Sequence, residues 1–187
     1  RDRGELEGEF TDRWFPSRPP LILIDSPHRG RDEAAYARDV LSRFMPRAYR
    51  RPLRAGELEA KVALFQQVRP QKSSFAEAIK VPLQSVLASP HFLYLVEDFD
   101  PANSARRLND YELASRLSYF LWSSMPDDEL FRLAAAGQLQ DAATLRAQVD
   151  RMLADPKSEA FIKNFTGQWL ELRKVGLNPP DVPRYDE

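Results

Sequence analysis

From Asp32 onward the apolar residues recur at intervals of three and four, the period of a helix with one buried face. Ala37, Val40, Leu41 and Phe44 form a first stripe. Pro46 is expected to bend or end that helix, because it has no amide donor and crowds the preceding turn. A second helix fits residues 56–69, with Leu58, Val62 and Phe65 on one face. A third opens with Ser74 and Glu77 in capping-box spacing and carries Phe75, Ile79, Leu83, Val86 and Leu87, with a kink expected at Pro82 and a stop at Ser89-Pro90. The run from His91 to Val96 is apolar on both faces, so its period fits a buried helical turn and a short strand equally well.

After a polar connector over residues 99–107, Asn109 and Glu112 form another capping box, and Leu113, Leu117, Phe120 and Leu121 make the expected buried stripe. Glu112 and Arg116, four apart with the acid first, suit an exposed helix-supporting pair. Asp127 is placed to cap a short helix closed by Gly137, and Asp141 to cap one carrying Leu145, Val149, Met152 and Leu153. Asp155-Pro156 starts a last helix in which Phe161, Phe165, Trp169 and Leu172 share a face, with Gly176 as its end.

Residues 1–31 differ. Prolines and glycine cluster from Pro16 to Gly30 around the apolar run Leu21–Ile24, which predicts an extended arm or the edge of a preceding β module. The pattern therefore predicts an all-α fold, an orthogonal bundle of six or seven helices with an extended N-terminal arm. Its segments are the arm, a first helical subdomain over 32–98, the connector, a second over 108–176, and an extended tail over 177–187.

Composition narrows the chemistry. The 187 residues are 43% hydrophobic and 29% charged, enough to bury a core without staples. A formal net charge of -1 argues against a surface built for nucleic acid or an anionic membrane, and no run of 18 apolar residues predicts a membrane span. The absence of cysteine excludes disulfides, thiolate zinc sites and covalent c-type haem attachment within the chain. The start, Arg1-Asp2-Arg3-Gly4-Glu5, has neither an initiator Met nor a signal-peptide core, so the chain is expected to begin within a longer protein.

Neither histidine, His28 nor His91, has metal-ligand partners at helical spacing, so each reads first as structural. His91 keeps a minor reading as a haem ligand or acid/base group. No nucleophile, base and orienter constellation can be assembled, so catalysis by this segment alone is not expected and its catalytic residues are unknown. The main charge feature is Arg43, Arg47, Arg50, Arg51 and Arg54, five arginines in twelve residues without an acid. With overall charge near neutral, it reads as a partner-facing stripe, and guanidinium forks suit planar hydrogen-bonded pairing. Tyr119 and Trp122 are candidate ligand contacts that could stack on a sugar or a porphyrin, whereas Trp169 completes an apolar stripe and is expected in the core.

The stretch from Leu108-Asn109-Asp110-Tyr111-Glu112-Leu113 to Met125-Pro126-Asp127-Asp128-Glu129-Leu130 resembles the helical domains of unknown function found in large secreted cytochrome-like proteins of planctomycetes. Arg47-Ala48-Tyr49-Arg50-Arg51-Pro52-Leu53, Ser89-Pro90-His91-Phe92-Leu93-Tyr94 and Gln168-Trp169-Leu170 agree with it, as does Trp14-Phe15-Pro16 in the arm. Pro82 and Arg54 depart from the family's usual residues. The resemblance implies secretion to the periplasm or cell surface and a longer polypeptide carrying haem c elsewhere, with no cofactor on this chain. The partners implied are other domains of that polypeptide, or chains cleaved from it. Three roles follow: a structural docking module, part of a haem oxidoreductase with His91 near a haem carried elsewhere, and cell-surface polysaccharide binding through Tyr119 and Trp122.

Overall fold

The computed structural model describes residues 22–97 and 106–172, and those residues contain helices and turns with no strand. They form two compact units, one from residues 22–48 with Leu53–Ala88, the other from Tyr49–Pro52 with residues 89–97 and 106–172. The units thus exchange short pieces across the segments drawn from sequence. Hydrogen bonds from Arg50 to the 91–94 backbone account for Tyr49–Pro52 belonging with residues 89–97.

In the first unit, α1 (Glu33–Tyr49), α2 (Glu57–Val68) and α3 (Phe75–Leu87) supply the buried residues. Tyr36, Val40, Leu41 and Met45 of α1, Val62 and Phe65 of α2, and Ile79 and Val86 of α3 are closed off from solvent. Phe75 joins them, its ring 4.8 Å from Tyr36 and 5.3 Å from Phe65. Pro46 does not end α1 and Pro82 does not end α3. Each helix continues through its proline, and Pro82 is itself buried, so packing around the ring offsets the lost amide bond. Ser74 caps α3 as its spacing predicts, but Glu77 returns to Ser73 instead of Ser74. Of the arm, residues 1–21 lie outside the described residues. Ile22 to Ile24 make no strand, and the Ile24 carbonyl accepts from the Tyr36 hydroxyl at 2.9 Å.

In the second unit, α4 (Pro90–Leu93) is a single turn capped by Ser89, so the ambiguous run is helical at its start. It is not the buried segment expected, since Leu93, Tyr94, Leu95 and Val96 are exposed. Helices α5 (Asp110–Trp122), α6 (Asp128–Ala135) and α7 (Ala142–Ala154) enclose a core of Ala114, Leu121, Trp122, Leu130, Leu133, Leu139 and Met152. Each start carries the cap its sequence predicts: Asn109 in a complete capping box with Glu112, Asp127 accepting from the Leu130 amide, and Asp141 from the Thr144 amide. Gly137, at φ +66°, closes α6 with the Gln138 amide on Leu133 O and its own amide on Ala134 O, a geometry that requires the left-handed region.

The last helix, α8 over residues 156–169, changes pitch. A 3-10 turn at Pro156–Ser158 leads into α geometry at Glu159–Phe161, a π turn at Ile162–Thr166, and a final α turn at Gly167–Trp169. It ends at Trp169, well before Gly176, which lies outside the described residues.

Two stripes expected in the core are rotated. On α5 the buried face is Ala114, Ser115, Ser118, Leu121 and Trp122, while Phe120 is exposed. On α8 Trp169 is 71% exposed and Phe165 faces outward beside it. On α7 Met152 and Gln148 are buried and Leu153 is exposed. Glu112 does not pair with Arg116. It holds Arg106 at 2.7 and 2.9 Å, and Arg116 reaches Glu97 instead.

Candidate functional site

The five arginines do not make one stripe. Arg43 and Arg47, one turn apart on α1, are exposed, as is Arg54, and Arg51 lies with its guanidinium 5.4 Å from the Tyr49 ring centroid. Arg50 is turned inward, 5% exposed, and is not a docking residue. Its guanidinium donates to the carbonyls of His91 at 2.8 Å, Phe92 at 3.1 Å and Tyr94 at 2.8 Å, and lies 5.6 Å from the Tyr119 ring centroid. Those carbonyls stand at the C-terminal end of α4, where a helix leaves acceptors unfilled and carries partial negative charge. A cation with several donors answers both needs. Sequence reading missed this role because the contact spans more than forty residues.

His91 sits in the same turn, its ring 5.4 Å from Tyr49 in edge geometry. Its Nδ1 is enclosed with no hydrogen-bond partner among the described residues. The other histidine has partners that sequence spacing did not show. His28 Nδ1 lies 2.8 Å from Asp39 Oδ2, and the Ser26 hydroxyl donates to the same oxygen. These are the residue types of a nucleophilic relay, but a relay needs the serine on the imidazole. Here both bind the carboxylate, which fastens the 26–31 turn to α1. The Ser26 hydroxyl first, and His28 second, hold the Asp39 carboxyl below its ordinary pKa.

Trp122, read as a ligand contact, is 3% exposed and donates its Nε1 proton to the Met152 carbonyl at 2.9 Å. It is core. Tyr119, on the neighbouring face of α5, is half-buried and lines a groove of about 610 Å³ between α5 and α8. The groove wall is an aromatic series. Phe120 meets Phe161 at 5.0 Å between centroids, Phe161 stacks on Phe165 at 5.2 Å, and Phe165 meets Trp169 at 5.8 Å. Ser123, Asn164 and Gln168 add polar groups to the same wall, and Asn164 Nδ2 donates to Ser123 Oγ at 2.8 Å. Among the described residues no group of three or more His, Asp or Glu could hold a metal ion, and no helix is long and apolar enough to cross a membrane.

Both halves of the chain match known family models. Residues 108–187 match PSD4, described as a protein of unknown function (DUF1592), and residues 36–97 match PSD5, described as a protein of unknown function (DUF1595). Each match spans less than half of the chain, and together they leave residues 1–35 and 98–107 outside. The groove and the Asn109 capping box lie within the PSD4 match, and the arginine run and His91 within the PSD5 match. The arm falls before either match. No curated protein and no solved structure matches the chain.

Proposed function

We propose that the PSD5 and PSD4 domains of this chain form a helical docking module in a longer secreted protein, holding neighbouring domains that carry haem c. The observation that carries this reading is the pair of cationic side chains Arg43 and Arg47, exposed one turn apart on α1. That helix is anchored by a buried face, so the pair is presented from a rigid support. Arg54 is likewise exposed in the same unit, and Arg50 is excluded by its burial. The separate matches on either side of the 99–107 connector support a division into two modules, and the secreted haem-protein setting rests on the sequence resemblance. The test is the double reversal Arg43→Glu with Arg47→Glu, scored by association of the chain with the remainder of its polypeptide. Docking predicts a loss of at least about tenfold in affinity, and unchanged association would remove the docking role.

A second reading is favoured by the unpartnered Nδ1 of His91. In it the chain forms part of a haem oxidoreductase, with His91 beside a haem on another domain. Because Nδ1 is enclosed, an iron could be met only by Nε2. Loss of an axial ligand must shift the absorption spectrum of the whole haem-loaded protein, so an unshifted spectrum in His91→Ala would discard this reading.

A further inference from the structure

We propose that the groove between α5 and α8 is a binding site for a neutral oligosaccharide. The inference does not depend on the docking reading and uses none of its residues.

The groove is concave, and its volume of about 610 Å³ suits a small ligand or a few units of a polymer. The aromatic series would ordinarily belong in a core, yet Phe120 is 58% and Trp169 71% exposed. Trp169 ends the series, with Phe165 as its one ring neighbour among the described residues. An exposed aromatic cluster of this kind marks a surface that meets something.

The polar residues decide what. Tyr119 and Ser123 bring hydroxyls, and Asn164 and Gln168 bring amides, all to the wall that holds the rings. Ser123 Oγ already accepts from Asn164, so its own proton is left to donate outward. The Gln168 amide makes no hydrogen bond among the described residues, and offers both a donor pair and an acceptor. A purely apolar ligand such as a lipid chain would give the Gln168 amide and the Ser123 proton nothing to bond, which costs free energy in a closed contact. A charged ligand would find no side chain of opposite sign among the described residues, since no described Lys, Arg, His, Asp or Glu lines the groove. What remains is a neutral molecule with apolar faces for the rings and hydroxyls for the amides, and a hexose or pentose ring has both.

The π turn at Ile162–Thr166 supplies the placement. Its wider turn contains Asn164 and Phe165, a polar and an aromatic lining residue, and such turns are frequent at functional sites. The site also moves the sugar contact expected of Trp122 to Trp169. Trp122 is closed within the core, whereas Trp169 is exposed and lines the groove.

The test is affinity electrophoresis of the full chain through gels containing neutral polysaccharides, namely β-glucan, xylan and mannan, with alginate as the acidic comparison. The expected result is retardation by at least one neutral polymer, weakened about tenfold in Trp169→Ala and also weakened in Gln168→Ala. Both positions are exposed, so helical content by circular dichroism should be unchanged in both variants. Migration unaffected by every neutral polymer would overturn the proposal. So would retardation by alginate alone, retardation that Trp169→Ala leaves intact, or capture of a peptide by this groove with no response to any glycan.

Discussion

The guanidinium of Arg50 finishes a helix of only four residues, collecting the carbonyls of His91, Phe92 and Tyr94. It does so from a backbone at φ +56°, a region that disfavours side chains. Replacing Arg50 by Ala should therefore destabilise the second unit by about 2–3 kcal/mol, through loss of charge-assisted hydrogen bonds. Arg50→Gly should be the milder variant by about 1 kcal/mol, because glycine occupies that backbone region without strain. Urea unfolding of the two variants checks the order, and equal midpoints would mean that the backbone at residue 50 carries no strain.

Asp127 gives a residue-scale prediction about pH. Burial acts to raise its pKa, but the Arg151 guanidinium at 2.7 Å and the Leu130 amide outweigh it, and the carboxyl sits below its ordinary 3.8. With the folded value below the unfolded one, its stabilising effect is complete above about pH 4 and lost as pH falls through the folded value. Asn keeps the cap and drops the charge. Asp127→Asn should accordingly lose less thermal stability than the parent chain between about pH 5 and about pH 2, and an equal loss would assign the acid sensitivity elsewhere.

At the scale of elements, the helix starts were legible and the buried faces less so. Asn109, Asp127 and Asp141 each bond an amide three residues ahead, a contact written into adjacent sequence. The face of α5 is not local. Leu113, Leu117, Phe120 and Leu121 offer one apolar stripe and Ala114, Leu121 and Trp122 a neighbouring one that shares Leu121, and spacing alone cannot choose between them. The structure buries the face that includes Ala114, Ser115 and Ser118, whose small side chains let neighbouring backbone approach closely. Leu121→Ala should thus cost about 2–5 kcal/mol, while Phe120→Ala should cost less than about 1.5 kcal/mol, the worth of one ring pair. Chemical denaturation separates the two, and the reverse order would contradict the burial of Leu121 and the exposure of Phe120. Asn109→Ala should cost about 1 kcal/mol as a lost cap. Proline's penalty of about 3 kcal/mol is likewise intrinsic, and at Pro82, inside a helix that runs on to Leu87 as its sequence predicts, tertiary burial offsets it.

At the scale of the whole molecule, each of the two helical units has its own buried residues, and the proposed recognition residues lie at the surface. The arginine run was legible as a charge pattern, but its division into exposed Arg43 and Arg47 and inward Arg50 depends on what the chain does forty residues later. The aromatic groove was hidden for the opposite reason, because its members looked like core. The measurement that tests the central claim most directly is the affinity between this chain and the remainder of its polypeptide across a range of salt, for the parent and for Arg43→Glu with Arg47→Glu. Docking through these side chains predicts affinity that falls as salt rises, and a reversal variant that is weaker at low salt and nearly insensitive to salt. Equal affinities and equal salt responses would contradict the account.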